Sequence, residues 1–369
     1  MIQVFKPSLS ASDKASVMKS IFKNEISGTS PAIKEFEKYS SEKFDREYSV
    51  AVSNGSVALD LALKVLDLKD GDEVILPTFT IISCLSAVIR AGAKPVFCDV
   101  DSKSWNMKIE HIENLVTKNT KAVLMVHLYG LAAEADKISD FCKKNNLYLI
   151  EDASEAHGQK VNNQNCGSFG DISTFSFYAN KHITTGEGGM VLTNNALFAD
   201  KLIQMRNLDF NPEQRFQHDN LYWNYRLSGI QASLGISQLK SLDKRINKKI
   251  RQGQNYNKLF SGHEDILQYP IHNDGEIVNH YWVYGLIVKN GVDRNSLLDF
   301  LYKKGIQTRP FFWPLHLQNA LPKNYRKPES VIKNSELLGK SGFYIPLGDH
   351  VSIRKQKFIS DMIINFLSR

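Results

Sequence analysis

KAVLMVHLYGLAAEADKISDFCKKNNLYLIEDASEAHG, residues 121–158, contains two apolar runs separated by an amphipathic segment. Neither run alternates apolar with polar residues. A strand with one face in water would alternate, so a continuous run implies burial on both faces, as in a parallel sheet with helices above and below. The segment between them, ADKISDFCKKNN, has helical spacing. Strand, helix and strand in succession form a crossover unit, the connection that parallel strands require.

The same alternation extends in both directions. Toward the N-terminus, YSVAVS, DEVILP (stopped by Pro77) and KPVFCDV are predicted strands, and VALDLALKVLDL and TIISCLSAVIRAGA are predicted helices. Before them, SPAIKEFEKYSSEKF opens on a Ser30 cap with Pro31 in the first turn, where its missing N–H costs nothing. Ile33, Phe36, Tyr39 and Phe44 fall near one face of that helix. Toward the C-terminus, DISTFSFY and GMVLTN add two strands. From about Leu227 the texture changes. A long helical pattern, SGIQASLGISQLKSLDKRINKKIRQGQNYNKLF, leads to YWVYGLIV (strand), RNSLLDFLYKKGI (helix), TRPFFWPLH (extended) and a last helix, KQKFISDMIINFLS. The expectation is an α/β fold: residues 1–240 form a mostly parallel central sheet with helices on both faces, and residues 241–369 form a smaller α+β domain.

Bulk properties narrow the function. Among 369 residues, 46 Lys and Arg against 39 Asp and Glu give +7, a mild excess spread over small clusters such as KRINKK and RKQK. Without a concentrated basic stripe or a known motif, no nucleic-acid partner is expected. A modest positive balance suits an anionic small-molecule substrate. The four cysteines form no C-x-x-C pair and fit free thiols in a reducing compartment. No run approaches the ~18 apolar residues of a membrane span. The N-terminus has no apolar signal core. The protein is expected to be cytoplasmic, without membrane or metal.

In an open α/β sheet, ligands bind beyond the carboxyl ends of the strands, and four features collect there. SNGS, Ser53 to Ser56, lies between a strand and a helix; it is either an anion site or a plain capped turn. LIEDASEAHG ends a strand on Glu151 and Asp152; Asp152 either holds a proton on a cationic ring nitrogen or caps a helix. In TFSFYANKHITTGEGG, Lys181 is either a surface lysine or an amine held beside a ligand that the glycines let approach. NLYWNYRLSGIQA carries Arg226 at the start of a helix among aromatics. Together these give a phosphate cradle, an acid for a pyridinium nitrogen and a lysine for an aldehyde, the three groups by which pyridoxal phosphate is held.

EDASEAHG, GSFGDISTFSFYANKHITTGEGGMV and NYRLSGIQASLGISQL resemble the motifs of the DegT family of sugar-nucleotide aminotransferases. The resemblance runs from about Pro7 to the C-terminus and implies the type I fold of pyridoxal-phosphate enzymes. It implies that Lys181 bonds the cofactor and carries protons, that Asp152 pairs with the ring nitrogen, and that Glu155 lies near the ring hydroxyl. Gly55, Ser56 and Ser176 would hold the phosphate. Asn224 and Arg226 would reach it from the neighbouring subunit of a homodimer, with the site at the interface. Arg309 and His316 are implied substrate contacts.

Ile81 stands where many relatives carry an aromatic that stacks on the cofactor. Tyr222 replaces a glycine, and Leu227 to Gly229 read LSG in place of MTN. The similarity is strongest to the perosamine-synthase-like group, which aminates C4 of a nucleotide-linked 4-keto-6-deoxyhexose with glutamate as donor, for surface polysaccharides such as O-antigen. GDP-4-keto-6-deoxymannose is the favoured substrate. The alternatives are a dTDP- or UDP-linked sugar aminated at C4 or C3, and a sugar 3-dehydratase, in which a histidine replaces the lysine that is present here as Lys181. A binding protein that keeps only the fold would have lost Lys181 or Asp152, and neither is lost.

Overall fold

In the computed structural model, which describes residues 1–211, 213–325 and 332–368, the chain opens with helices α1 (Ala11–Phe22) and α2 (Pro31–Lys43). Ser30 caps α2 by accepting from the Ala32 amide at 3.3 Å, and Ala32, Ile33 and Phe36 are buried. Then come β1 (Tyr48–Val52), α3 (Gly55–Lys64), β2 (Glu73–Pro77), α4 (Ile82–Arg90), β3 (Lys94–Cys98), α5 (Ile109–Glu113), β4 (Thr120–Val126), α6 (Ala135–Lys144) and β5 (Tyr148–Asp152). A hairpin of β6 (Lys160–Val161) and β7 (Gln164–Asn165) precedes β8 (Ile172–Ser176), β9 (Gly189–Thr193) and α7 (Ala196–Arg206).

Seven of these strands form one sheet in the order β1-β9-β8-β5-β4-β2-β3. The pairs from β8 to β3 are parallel, while β9 runs antiparallel to both β8 and β1. Both faces are covered, as the unbroken apolar runs predict. In β4, Ala122, Leu124 and Val126 pack into one buried cluster and Val123 and Met125 into the other. In β2, Val74 and Leu76 face the first and Ile75 the second. The first cluster also takes residues of α3 and α4, the second those of α2 and α6.

The long helical pattern after Leu227 is two helices. α8 (Gly229–Lys240) and α9 (Leu242–Phe260) are broken at Ser241, which has ψ 5° and continues neither helix ideally. Short strands β10 (Leu267–Gln268), β11 (Asn273–Asp274) and β12 (Ile277–Val278) follow, then β13 (Tyr284–Val288), α10 (Arg294–Lys303), β14 (Arg309–Pro310), α11 (Lys333–Ser341), β15 (Gly342–Ile345) and α12 (Ile353–Leu367). β10, β13, β15 and β14 form a four-stranded antiparallel sheet. Its core of Tyr256, Phe260, Tyr284, Leu301, Phe343 and Ile359 is separate from the two clusters of the large sheet.

Two details depart from the sequence expectation. TRPFFWPLH is extended only briefly and ends in a 3-10 turn at Leu315–Leu317. The first residues also join the C-terminal part, since the Ile2 amide donates to Gly305 O at 2.6 Å and Ile2 pairs with Ile306. Among the described residues no helix is long and apolar enough to cross a membrane.

Candidate active site

Strand register brings distant residues to one edge of the large sheet. Asp152, at the end of β5, is the partner of Thr174 in β8; Ser176, at the end of β8, is the partner of Gly189, which also pairs with Val52 at the end of β1. The SNGS turn, Ser176 and Asp152 therefore share one end of the sheet.

The turn is built for close approach. Asn54 caps α3 by accepting from the Val57 amide at 2.9 Å, leaving the first amides of the helix pointing outward, where they favour an anion. A Cβ on Gly55 would stand 2.7 Å from Ser176 Cβ, so only glycine lets the Ser176 hydroxyl sit against this helix start. Ser56 Oγ lies 2.7 Å from Ser83 Oγ at the start of α4. Ile81, at the N-cap of α4, is 41% exposed. Of the glycines after Lys181, Gly186 has open space where a Cβ would stand, whereas Gly188 and Gly189 are closely packed. Gly189 passes under Asn54, whose carbonyl oxygen would be 2.4 Å from an added Cβ.

Glu151 and Asp152 point to opposite faces of β5, as consecutive strand residues must. Glu151 is wholly buried. It accepts from the Gly167 amide (2.5 Å), His127 Nε2 (3.0 Å), the Phe169 and Gly170 amides (2.9 and 3.0 Å) and Ser173 Oγ (3.1 Å). Arg46 braces the same loop by donating to Gly167 O, Gly170 O and Ser173 Oγ. Burial alone would raise the Glu151 pKa, but the His127 ring, the Gly167 amide and Arg46 outweigh it and hold the group below the usual value. His127, Glu151 and Cys166 have potential ligand atoms within 4.8 Å of one another. The lone pairs of His127 and Glu151 are already committed, because His127 Nδ1 accepts from the Ala133 amide at 3.0 Å and Glu151 takes five donors.

Asp152 is 3% exposed. Its Oδ1 accepts from the Ser154 amide (3.0 Å) and Thr174 Oγ1 (3.4 Å), whereas among the described residues Oδ2 has only the weak Cys84 thiol at 3.8 Å. Burial, and then the Asp152 charge, push the Cys84 thiol well up, so it stays protonated. Lys181 Nζ lies 3.5 Å from Glu155 Oε1 and 4.0 Å above the Trp282 ring. Glu155 Oε2 accepts from the Tyr129 amide at 2.8 Å. Burial raises the Glu155 carboxyl to about 7 against the pull of Lys181. His157 is buried, and burial plus Lys181 push it down to about 3. Behind Lys181 is a small cavity of about 60 Å³ shared with Lys6, His182, Arg245 and Lys249.

The residues fit pyridoxal phosphate. A buried carboxylate oxygen without a strong donor awaits a ring N–H, an amine stands nearby for an aldehyde, and outward amides under a serine hydroxyl await a phosphate. The remaining predicted residues lie elsewhere. Arg226 donates to Asn207 Oδ1, and its own amide donates to Asn224 Oδ1 at 3.2 Å. Arg226 lines a groove with Ser27, Gly28, Thr29 and Arg215 that contains none of the Lys181 residues. Arg309 is exposed, stacked on Phe5 and near Tyr344, which itself neighbours Glu155. His316 has both ring nitrogens engaged, Nδ1 with Thr78 Oγ1 (2.7 Å) and Nε2 with Glu336 Oε1 (3.2 Å). Cys84, Thr174, Trp282 and the Tyr129 amide were not foreseen. Trp282 is about a hundred residues from Lys181 in sequence, and only tertiary packing joins them.

The DegT/DnrJ/EryC1/StrS aminotransferase family matches residues 8–363. The chain is 36% identical to the GDP-perosamine synthase of Escherichia coli O157:H7 over 368 residues, covering 100% of this chain and 99% of that one. It is 37% identical to the GDP-perosamine synthase of Vibrio cholerae over 319 residues, 86% of each chain. The aminotransferase TlmJ of Streptoalloteichus hindustanus superposes with a TM-score of 0.93 at 26% identity, covering 100% of this chain and 99% of that one. The fold is thus the type I fold of pyridoxal-phosphate aminotransferases.

Proposed function

Because the chain belongs to the DegT/DnrJ/EryC1/StrS aminotransferase family of pyridoxal-phosphate enzymes, we propose that it moves an amino group from glutamate to C4 of a nucleotide-linked 4-keto-6-deoxyhexose, with GDP-4-keto-6-deoxymannose as the substrate. The observation that carries this reading is full-length similarity to GDP-perosamine synthases in a chain that keeps Lys181 beside buried Glu155. A sugar 3-dehydratase would have histidine at Lys181.

Pyridoxal phosphate, when bound, supplies an aldehyde that joins amines and a cationic ring that draws electrons from the neighbouring carbon. Asp152 Oδ2 would hold the proton on the ring nitrogen and so keep the ring cationic, an interaction strengthened where water is excluded. Gly55, Ser56 and Ser176 would hold the phosphate at the start of α3. Lys181 Nζ, released from the cofactor by the donor, would take the proton from the donor's α-carbon and return it at the sugar C4 in the second half of the cycle. Ile81 would cover the ring by apolar contact. Asn224 and Arg226 would complete the phosphate site of a second copy in a homodimer.

The test is an assay of the purified protein with glutamate and GDP-, dTDP- and UDP-linked 4-keto-6-deoxy sugars. The expected product, from the GDP sugar, has gained an amine. Loss of water, or turnover of only the dTDP or UDP sugar, would replace this reading with one of the alternatives.

A further inference from the structure

We propose that Trp282 is a positioning residue for Lys181: one indole grips both ends of the lysine and keeps its free amine on the side of Glu155, within reach of a cofactor aldehyde. The inference rests on the reading that Lys181 bonds pyridoxal phosphate.

Two contacts carry it. Lys181 Nζ lies over the Trp282 ring, 4.0 Å from its centroid. Trp282 Nε1 donates to Asn180 O at 3.0 Å, the carbonyl bonded directly to the Lys181 main-chain nitrogen. The ring face therefore holds the amine, and the ring N–H holds the backbone from which the side chain springs. A lysine stem is flexible, and an amine fixed at one end alone would spread over many rotamers. The face attracts an ammonium through the ring quadrupole, so it also receives the charge once Lys181 has taken a proton.

Trp282 can act in this way because it is itself held. It is buried, and its carbonyl accepts from Lys249 Nζ of α9 at 2.7 Å. Its backbone passes so close to Gly130 that a Cβ there would stand 2.3 Å from the Trp282 nitrogen. Its ring packs on Tyr129, with centroids 5.9 Å apart. Tyr129 and Gly130 follow β4, so the indole is fixed from the large sheet and from the long helix together. The Tyr129 amide also anchors Glu155 Oε2 at 2.8 Å, and Glu155 Oε1 is the other group beside Nζ, at 3.5 Å. The amine is thus kept between the indole face and Glu155, which is near enough to Asp152 for their charges to interact. Core packing alone would require neither the N–H bond to Asn180 nor a cation on the ring face.

The test compares two probes on apoprotein. Pyridoxal phosphate reports bonding to Lys181 by its colour. 4-Deoxypyridoxine phosphate has a methyl group in place of the aldehyde and cannot bond an amine. In Trp282→Leu the colour should develop about tenfold more slowly, the scale of the conformational freedom returned to the lysine, while affinity for deoxypyridoxine phosphate stays that of the wild type. Trp282→Phe keeps a ring face and should colour faster than the leucine variant. Trp282→Met, also without a ring, takes the place of the leucine variant if that protein does not fold. Three results would each overturn the proposal: a ringless variant that colours as fast as the wild type, a phenylalanine variant no faster than the ringless one, or affinity for the aldehyde-free probe that falls in step with the colour rate. A wild type that never becomes coloured would overturn the cofactor reading instead.

Discussion

Glu151 and Asp152 are neighbours in sequence with opposite duties. Their place at the end of an apolar strand was legible, because two acids closing such a run need partners. Which acid faces which way follows from the alternation of strand side chains: Asp152 shares its face with Ile150, and Glu151 with Leu149. The partners of Glu151 could not be read, since they come from a loop whose path depends on tertiary structure. Replacing Glu151 with Gln should destabilise the protein by about 3 kcal/mol, because His127 and three amides lose their charged acceptor and Arg46 loses the opposite charge beside it. The folded pKa of Glu151 is depressed, so its contribution is full above the ordinary carboxylate range and is lost as pH falls through the folded value. Urea denaturation of both proteins should therefore show a gap that is wide at neutral pH and narrows below about pH 4. A gap independent of pH would mean that the charge of Glu151 does not matter.

At the scale of elements, the crossover units were legible because each strand and helix carries its own period. The pieces that were not legible are short and non-local. β14 has two residues, and its pairing partner lies more than thirty residues further on, so no periodic signal precedes the contact. The 3-10 turn at Leu315–Leu317 is of this kind. The Leu315 amide donates to Thr78 O at 2.7 Å and the His316 amide to Thr78 Oγ1 at 3.2 Å, while the His316 ring ties Thr78 to Glu336 of α11. His316 thus joins the end of β2, the turn and α11. Replacing it with alanine should lower stability by about 1–2 kcal/mol, since two hydrogen bonds are lost and Thr78 is left half-satisfied. Thermal unfolding and steady-state kinetics separate the possibilities. A lowered midpoint with an unchanged KM fits the joint. An unchanged midpoint with a sugar KM raised tenfold or more would restore the substrate contact inferred from resemblance.

For the whole molecule, one chain does not gather every residue the family likeness assigns to the site. Arg226 pairs by its backbone with Val52, one residue from the SNGS turn, yet its side chain turns to Asn207 and the groove beside Gly28. Large apolar side chains lie open nearby in sequence and on the first helix, among them Phe216, Leu221, Trp223 and Phe22, a surface better suited to contact than to water. The proposed homodimer accounts for both, with each Arg226 serving the other copy's phosphate. In such a dimer a site needs Lys181 from one chain and Arg226 from its partner. Lys181→Ala and Arg226→Ala should each be nearly inactive alone. Refolded together in equal amounts, half of the dimers are mixed, and each mixed dimer has one site with both residues native, so about a quarter of wild-type activity should return. Activity no greater than the two variants measured separately, in a mixture shown by light scattering to be dimeric, would place Arg226 within its own chain's site or outside the chemistry.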